Sequence, residues 1–403
     1  GISQWRHTGL LTLTTVTGVP GLSFLIVATN AGMAMAARDR WDTVTSPRRR
    51  KHAVSWGLGT VAALLLAAWT VILSAPRVAP PVGSFRVLAV QGNIPQCRIW
   101  SDAQFEEAVD VYCSLTSLMT PIAKPDLVVW PESAIPAPVG YKPYKQRLDA
   151  LMAEIQTPLL IGALDSRTVP GAIWTGEDWS PPAEDFNAAI LFDAQGKAID
   201  VYDKIHRVPF GEYVPFARYM PWLVDLIGMG RGLVAGREHT VMNLGRGVRA
   251  GVNICFEDVF PGISRGFVRR QANVLFTLTN DAWYAESAGS RQHMIHAVFR
   301  AAETRRPLLR SGNNSDTCLI FPDGRVTDLL YDRPRGTRFM RGTQVYDVPI
   351  YEDPPMTFYS TYGDWFSVLC AVVFLLLGGV LILQALQRKS HVRRAIRPDE
   401  VHL

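Results

Sequence analysis

Three long runs without a charged side chain constrain this sequence more than any other feature. They cover residues 10–37, 53–75 and 365–386. A helix needs roughly 20 mostly apolar residues to cross the hydrocarbon core of a bilayer, so each run is long enough. The sequence therefore predicts a membrane region at residues 1–83 with two transmembrane helices, and a third transmembrane helix with a basic cytoplasmic tail at residues 351–403. Glycine, proline and threonine dilute the first run, which leaves a buried globular helix open as an alternative there.

Basic residues flank these runs and predict their orientation. One cluster lies between the first two runs and another follows the third: Arg38, Arg40, Arg48, Arg49, Arg50 and Lys51, and then Arg388, Lys389, Arg393, Arg394 and Arg397. Loops rich in Lys and Arg stay on the cytoplasmic side, so the long segment between the second and third runs is expected outside. Because the net charge of +5 comes largely from these clusters, we expect no nucleic-acid-binding face on the fold.

The segment at residues 84–350 has the pattern of an α/β domain. Short apolar runs rich in β-branched residues, such as residues 127–130, 252–254 and 274–278, are typical of buried strands. Helical patterns lie between several of them, and turn sequences indicate some hairpins. The five cysteines include no CxxC pair, which indicates neither a zinc site nor a disulfide framework.

Cys255 lies where one of these apolar runs ends. Glu257 and Asp258 follow at once, and a Pro-Gly pair at residues 261–262 turns the chain. A thiol at the end of a buried strand, beside acidic residues, is a common way to present a nucleophile. A core cysteine beside a solvated acidic turn is the alternative that these residues leave open.

Two other strand ends carry residues that suit the same chemistry. Glu132 follows a strand-like run and could serve as a general base, although an acidic helix cap would look the same. Lys204 could stabilise an oxyanion and Glu212 could be a second acid or base, although both could also be exposed charges in a solvated loop. Glu132, Lys204 and Cys255 could form a nucleophilic site without histidine, in which the carboxylate takes the thiol proton and the cysteine forms an acyl intermediate.

The ordered set of motifs resembles the carbon–nitrogen hydrolase (nitrilase) superfamily and, within it, the apolipoprotein N-acyltransferases. The matching stretches are residues 18–25, 90–96, 130–132, 209–215, 255–257, 279–283, 292–293, 306–310 and 362–365. The resemblance implies an α/β fold, a nitrilase-like α/β/β/α sandwich at residues 84–350 attached to transmembrane helices. It implies Glu132 as general base, Lys204 as the triad lysine and Cys255 as nucleophile, with no metal and no cofactor.

The resemblance also implies supporting and substrate-binding residues. Glu212 matches an additional essential acid, Glu257 the acid after the nucleophile, and Trp100 a tryptophan near the substrate. The family usually has tyrosine after the nucleophile where this chain has Phe256, and small residues with glycine where it has Ser-Asp at residues 315–316. Members carry further membrane helices before the first run seen here, so we expect this chain to be truncated at its N-terminus.

The activity implied by the resemblance is a two-step acyl transfer at a membrane. A phospholipid would donate an acyl chain to Cys255, and the α-amine of a diacylglyceryl-cysteine apolipoprotein would accept it. The apolar segment at residues 216–229 is expected to dip into lipid, with Trp222 and Leu223 contacting acyl chains; a helix buried on the domain is the alternative. We expect a monomeric, multi-pass protein of the bacterial inner membrane, with its catalytic domain on the periplasmic side.

Two other functions compete with this interpretation. One is a membrane-tethered nitrilase-type amidase that hydrolyses a soluble amide with the same three residues. The other is a non-catalytic membrane scaffold that has kept the fold. The apolar segment and the match inside the first run favour the acyltransferase over the amidase, and the presence of Glu132, Lys204 and Cys255 speaks against the scaffold.

Overall fold

Two β-sheets packed face to face form the centre of the computed structural model, which describes residues 1–45, 53–75, 78–95, 102–168, 183–228 and 232–395. The strands of the described residues are β1 (Gly83–Gln91), β2 (Leu127–Val129), β3 (Ile135–Pro138), β4 (Leu159–Thr168), β5 (Ala183–Phe192), β6 (Ala198–Asp203), β7 (Val241–Gly245), β8 (Val248–Ile254), β9 (Val274–Thr279), β10 (Leu308–Gly312), β11 (Cys318–Ile320), β12 (Val326–Thr327) and β13 (Gly342–Ile350).

The two sheets have parallel centres and antiparallel edges. The first runs in the order β13-β1-β2-β4-β5-β6, with β3 beside β4, and the second in the order β12-β11-β10-β9-β8-β7. The pairs β1–β2, β2–β4, β8–β9 and β9–β10 are parallel, so the carboxyl ends of the central strands meet at one edge of each sheet. Ligand sites of open α/β sheets lie at such edges.

Helices cover the outer face of each sheet. Those of the described residues are α1 (Thr8–Leu11), α2 (Thr14–Thr45), α3 (Ala53–Ser74), α4 (Asp102–Ala123), α5 (Lys142–Ile155), α6 (Trp222–Ile227), α7 (Pro261–Arg269), α8 (Gly289–Thr304), α9 (Phe358–Tyr362) and α10 (Trp365–Ala395). α4 and α5 pack on the first sheet, and α7 and α8 pack on the second.

The side chains of β1 alternate between two apolar layers. Val87 and Ala89 face the layer shared by the two sheets, whereas Leu88 and Val90 face the layer under α4 and α5. This period of two is what a strand buried on both faces requires. The predicted α/β/β/α sandwich is therefore confirmed.

Three helices of the described residues are long and apolar enough to cross a membrane. The candidate spans are Thr14–Arg38 in α2, Gly57–Ser74 in α3 and Trp365–Arg388 in α10. Their outward side chains, such as Leu66 and Leu375, are exposed, as a surface that contacts lipid requires. The three predicted runs thus form helices of spanning length, while the basic residues at positions 48–51 and 397 lie outside the described residues.

α2 is kinked near its start. Gly18 has φ 65° and ψ −175°, which is not helical, and Pro20 follows inside the helix. A Cβ at Gly18 would lie 2.6 Å from Cε2 of Tyr359 on α9, so both the backbone angle and the packing require glycine there. The kinked end of α2 packs against α8 and α9 of the sandwich.

Candidate active site

Cys255 lies at the carboxyl end of β8, where the chain enters a 3-10 turn at Cys255–Val259. Its φ of 52° is left-handed, a strained conformation for a residue with a side chain and one that clusters at functional sites. Cys255 is partly accessible, whereas Cys318 on β11 is fully buried. The backbone therefore presents Cys255 on a sharp turn at the edge of the sheet and does not pack it as a core residue.

Glu132 and Lys204 reach Cys255 from the facing sheet. Glu132 lies in the loop after β2, and Lys204 directly follows β6. The Lys204 ammonium is 3.4 Å from Oε1 of Glu132 and 2.8 Å from Oε1 of Glu212. Asn187 on β5 donates its amide hydrogens to the same two oxygens, at 2.9 Å and 2.8 Å. The structure thus brings four of the predicted site residues together, with the lysine buried between two carboxylates.

The charges of this cluster act on the Cys255 thiol. Burial raises the pKa of Cys255 well above its ordinary value, and the Glu132 carboxylate raises it further, while Lys204 lowers it. Burial alone would lower the pKa of Lys204, but the charges of Glu132 and Glu212 and the hydrogen bond to Glu212 outweigh it, so the pKa is raised. At neutral pH the thiol is protonated and the lysine is charged. A thiolate forms only when a neighbouring group accepts its proton.

Glu132 is held by hydrogen bonds from both sheets. The backbone N–H of Asn280, just after β9, donates to Oε2 at 2.9 Å, while Asn187 donates to Oε1. The backbone of β4 approaches Glu132 so closely that a Cβ at Gly162 would lie 2.5 Å from the Glu132 Cα. Both carboxylate oxygens are therefore fixed before any substrate binds.

Glu257 connects the turn of Cys255 to the loop of Lys204. Its carboxylate is fully buried and accepts hydrogen bonds of 2.7–3.0 Å from four donors: the N–H groups of Ile254, Ile205 and His206, and the hydroxyl of Tyr202. Burial raises the pKa of Glu257 to about 7, against the lowering effect of these donors. Glu257 therefore fixes the relative positions of the two loops.

A ring of four buried charged side chains lies beneath Cys255. Nothing in the sequence indicated that these four residues form a cluster. Arg310 binds Asp258 at 3.0 Å and Asp281 at 2.7 Å, and His293 binds the same two aspartates at 3.0 Å and 2.7 Å. His293 Nε2 also lies 3.2 Å from the carbonyl oxygen of Cys255. Burial lowers the pKa of His293, but the two aspartates outweigh it and raise the pKa to about 9. The ring thus pairs two positive with two negative charges.

The signal for this ring was weak in the sequence. His293 and Arg310 lie in stretches that carried the family resemblance, at residues 292–293 and 306–310, but no role was assigned to them. Buried charges need partners of opposite sign, and sequence alone does not show which charged residues are buried.

The remaining predicted site residues lie around this centre. Phe256 packs near Phe260 and His293, with ring centroids 5.7 Å and 6.0 Å away. On α6, Trp222 is 60% exposed and Leu223 is half-buried. Trp100 lies outside the described residues.

Exposed apolar side chains form a rim on the segment that contains Glu212 and on the turn after β9. Its members, called the apolar rim below, are Phe210, Phe216, Tyr219, Trp222, Leu226 and Trp283. An apolar patch of this kind marks a surface that contacts a partner, a ligand or a membrane. Tyr284, next to Trp283, has its ring centroid 6.3 Å from that of His293, and Nε2 of His293 lies 3.2 Å from the Cys255 carbonyl oxygen, so this part of the rim is near the turn of Cys255.

This chain is similar to known proteins over most of its length. The carbon–nitrogen hydrolase family model matches residues 86–340. An apolipoprotein N-acyltransferase of Geobacter metallireducens is 32% identical over 393 residues, covering 97% of this chain and 70% of that protein. One of Chlorobaculum tepidum is 30% identical over 411 residues, covering 96% and 72%.

A solved structure of an amidase from Nesterenkonia sp. is also similar, with 16% identity and a TM-score of 0.46 over 68% of this chain and 94% of the amidase. The family match alone spans more than half of the chain, and the two acyltransferases extend the similarity over the candidate membrane helices. The chain therefore belongs to the carbon–nitrogen hydrolase family and, within it, to the apolipoprotein N-acyltransferases.

Proposed function

We propose that this chain transfers an acyl chain from a phospholipid to the N-terminal amine of a diacylglyceryl-cysteine apolipoprotein, through a thioester on Cys255. The observation that carries the proposal is the buried Lys204, held between Glu132 and Glu212 beside the thiol of Cys255. Membership of the acyltransferases supports the proposed substrate class, and the geometry of the site supports the roles that we assign to its residues.

In the first half-reaction, Glu132 takes the thiol proton as the sulfur attacks the ester carbonyl of the phospholipid. Lys204 and the backbone N–H of Phe256 stabilise the negative charge that develops on the carbonyl oxygen. The C–O bond of the ester breaks, Glu132 returns the proton to the leaving oxygen, and lysophospholipid departs. The acyl group remains on Cys255 as a thioester.

In the second half-reaction, the lipoprotein amine attacks the thioester. Glu132 accepts the proton that the amine loses, an amide forms, and the Cys255 sulfur leaves and regains a proton. Glu212 holds Lys204 charged and in place, because its Oε1 accepts from the ammonium and its Oε2 accepts from the Val208 N–H at 2.8 Å. We assign Glu257 a positioning role between the two loops.

Both substrates are amphiphiles, and the apolar rim suits them. Trp222 and Leu226 on α6 expose apolar surface that would contact acyl chains at the membrane interface. The positive-inside rule supports an arrangement with three spans in the inner membrane and the sandwich on the periplasmic side. In that arrangement the thiol lies near the surface from which both lipid substrates come.

The thioester is the step to test. Membranes that contain the protein are incubated with a phospholipid carrying a labelled acyl chain, and a hydroxylamine-sensitive adduct is sought. We expect the adduct in the unmodified chain and in a Cys113→Ser control, and its loss in Cys255→Ser and Glu132→Gln. An unmodified chain without adduct, or a labelled Cys255→Ser, would contradict the proposal.

The acceptor is tested by chasing the labelled enzyme with a diacylglyceryl-cysteine peptide. We expect the label to move to the peptide as a hydroxylamine-resistant amide. Release of the label as free fatty acid, with none on the peptide, would indicate a hydrolase instead.

A further inference from the structure

The kink of α2 leaves two backbone groups of that helix without their usual partners. Pro20 has no N–H, so the carbonyl of Val16, four residues earlier, loses its helical donor. The non-helical backbone at Gly18 also prevents the N–H of Val19 from making its usual hydrogen bond within the helix. Neither group is left unsatisfied. The indole N–H of Trp365 donates to the Val16 oxygen at 2.8 Å, and the Val19 N–H donates to a side-chain oxygen on α8.

That oxygen belongs to Glu303, which is 1% exposed and lies 3.2 Å from the Val19 nitrogen. The other carboxylate oxygen of Glu303 pairs with Arg300 at 2.7 Å, one turn earlier on α8. Arg300 is equally buried, and its Nη1 donates to the carbonyls of Asp258 and Val259 at 3.1 Å and 3.2 Å. These carbonyls end the turn that begins at Cys255.

A continuous path of polar contacts therefore runs from the kink of α2 to the turn of Cys255. The same helix α8 also carries His293, whose Nε2 lies 3.2 Å from the Cys255 carbonyl oxygen. Buried ion pairs contribute little net stability compared with well-packed apolar side chains, and their best-supported use is to specify one arrangement. An ion pair placed between a membrane helix and the strained turn of a thiol fits that use.

We propose that Arg300 and Glu303 are positioning residues that fix the turn of Cys255 to the kink of α2, so that the seating of the membrane helix sets the geometry of the thiol. The proposal rests on the proposed function only in taking Cys255 as the nucleophile. We call the contacts from Val19 through Glu303 and Arg300 to the carbonyls of Asp258 and Val259 the relay. Loss of the relay would displace the turn without removing Glu132 or Lys204. Small displacements of a reacting group reduce rates strongly.

The test measures the reactivity of Cys255 without a lipid substrate. Detergent-solubilised protein is treated with iodoacetamide, and alkylation at Cys255 is followed by peptide mass spectrometry. We expect Arg300→Lys, which keeps the charge but cannot contact both carbonyls and Glu303, to slow alkylation by about tenfold or more. Glu303→Gln should act similarly. The control is Arg147→Lys, because Arg147 on α5 pairs with Asp110 on α4 at 3.0 Å, on the first sheet and away from these contacts.

A double-mutant cycle of alkylation rates separates a positioning effect from general destabilisation. Gly18→Ala disturbs the kink through its φ and its contact with Tyr359, and it should slow alkylation in the otherwise unmodified chain. In the Glu303→Gln background it should add almost nothing, because the relay is already interrupted. Thermal unfolding identifies the variants that remain folded. If Glu303→Gln does not fold, the decisive measurement is the alkylation rate of Arg300→Lys, which retains the charge and nearly the volume of arginine.

Two results would overturn the proposal. One is alkylation of folded Arg300→Lys at the rate of the Arg147→Lys control. The other is additive effects of Gly18→Ala and Glu303→Gln. Because the reagent is a small soluble molecule, failure of the phospholipid thioester assay would leave this test intact, and the two proposals fail separately.

Discussion

The left-handed turn of Cys255 is held by contacts on both sides of the residue. Before it, the N–H of Ile254 donates to Glu257 at 2.8 Å; at it, the carbonyl oxygen of Cys255 lies 3.2 Å from His293 Nε2. A strained backbone persists only where its surroundings fix it more than once. The imidazole of His293 thus helps to keep the thiol of Cys255 in place.

The proton on His293 should make stability depend on pH. The pKa of His293 rises from 6.5 to about 9 in the folded protein, because Asp258 and Asp281 outweigh burial and the opposing charge of Arg310. A raised folded-state pKa means that the stabilisation is complete below pH 6.5 and is lost as the pH rises through 9. We expect the free energy of unfolding to fall by about 2–3 kcal/mol between pH 6.5 and 9.5.

Urea unfolding in detergent, followed by tryptophan fluorescence, measures this slope. The comparison is His293→Gln, which retains a hydrogen-bonding side chain but has no proton to lose. Its free energy of unfolding should be lower at pH 6.5 and should change less up to pH 9.5. Equal slopes for the two proteins would show that His293 does not carry the effect.

Residue identities predicted the centre of the site better than its surroundings. Glu132, Lys204 and Cys255 each follow a strand-like run, so the sequence indicated that they lie at strand ends, and the family resemblance grouped them. Asn187 gave no such signal, because an amide on a strand is indistinguishable from any other polar residue until the facing sheet is in place. Its contacts with Glu132 and Glu212 depend on that packing.

At the scale of elements, β4 determines where Glu132 can lie. Gly162 allows the loop after β2 to cross β4 at contact distance, and the loop is fixed there by hydrogen bonds between Gly162 and the backbone of Pro131 and Ala134. Short apolar runs predicted buried strands in this part of the chain, and β4 is one such strand. An apolar run does not show why glycine is needed at position 162.

Gly162→Ala should therefore damage the site more than the strand. The new Cβ would meet the Glu132 Cα at 2.5 Å and the Pro131 oxygen at 2.6 Å, and backbone atoms cannot yield as a flexible side chain can. We expect thioester formation to slow by about tenfold or more. The control is Gly83→Ala on β1, where a Cβ would meet nothing within 4 Å. Similar rates in the two variants would contradict this account of Gly162.

At the scale of the whole molecule, the apolar rim and the candidate spans both expose apolar side chains, and we expect both to contact lipid. The sequence predicted an apolar segment at residues 216–229 and proposed Trp222 and Leu223 as its contacts. Trp222 is exposed on α6, but Leu223 is half-buried and Leu226 is 74% exposed. The helix α6 is only six residues long, so a pattern over so few residues could not decide which side faces outwards.

The double variant Trp222→Asp, Leu226→Asp should impair use of phospholipid in vesicles. Charges on this surface oppose its entry into the acyl-chain region, so we expect the rate of thioester formation to fall by about tenfold or more while thermal unfolding stays unchanged. The control is Leu118→Asp, Ile122→Asp, an equally exposed apolar pair on α4. A loss of fold in the α6 variant alone would support the alternative that this segment is packed on the domain.

The kink of α2 also bears on how the protein is made. The Val19 N–H and the Val16 carbonyl find their partners 284 and 349 residues later in the chain, on α8 and α10. During synthesis, α2 is made before either partner exists, and an unsatisfied backbone group in lipid would cost several kcal/mol. We expect the newly inserted helix to keep those groups near water, or to remain straighter, until α10 follows. The contacts of α2 with α8 and α10 would then form last, and only after them would the turn of Cys255 be completed.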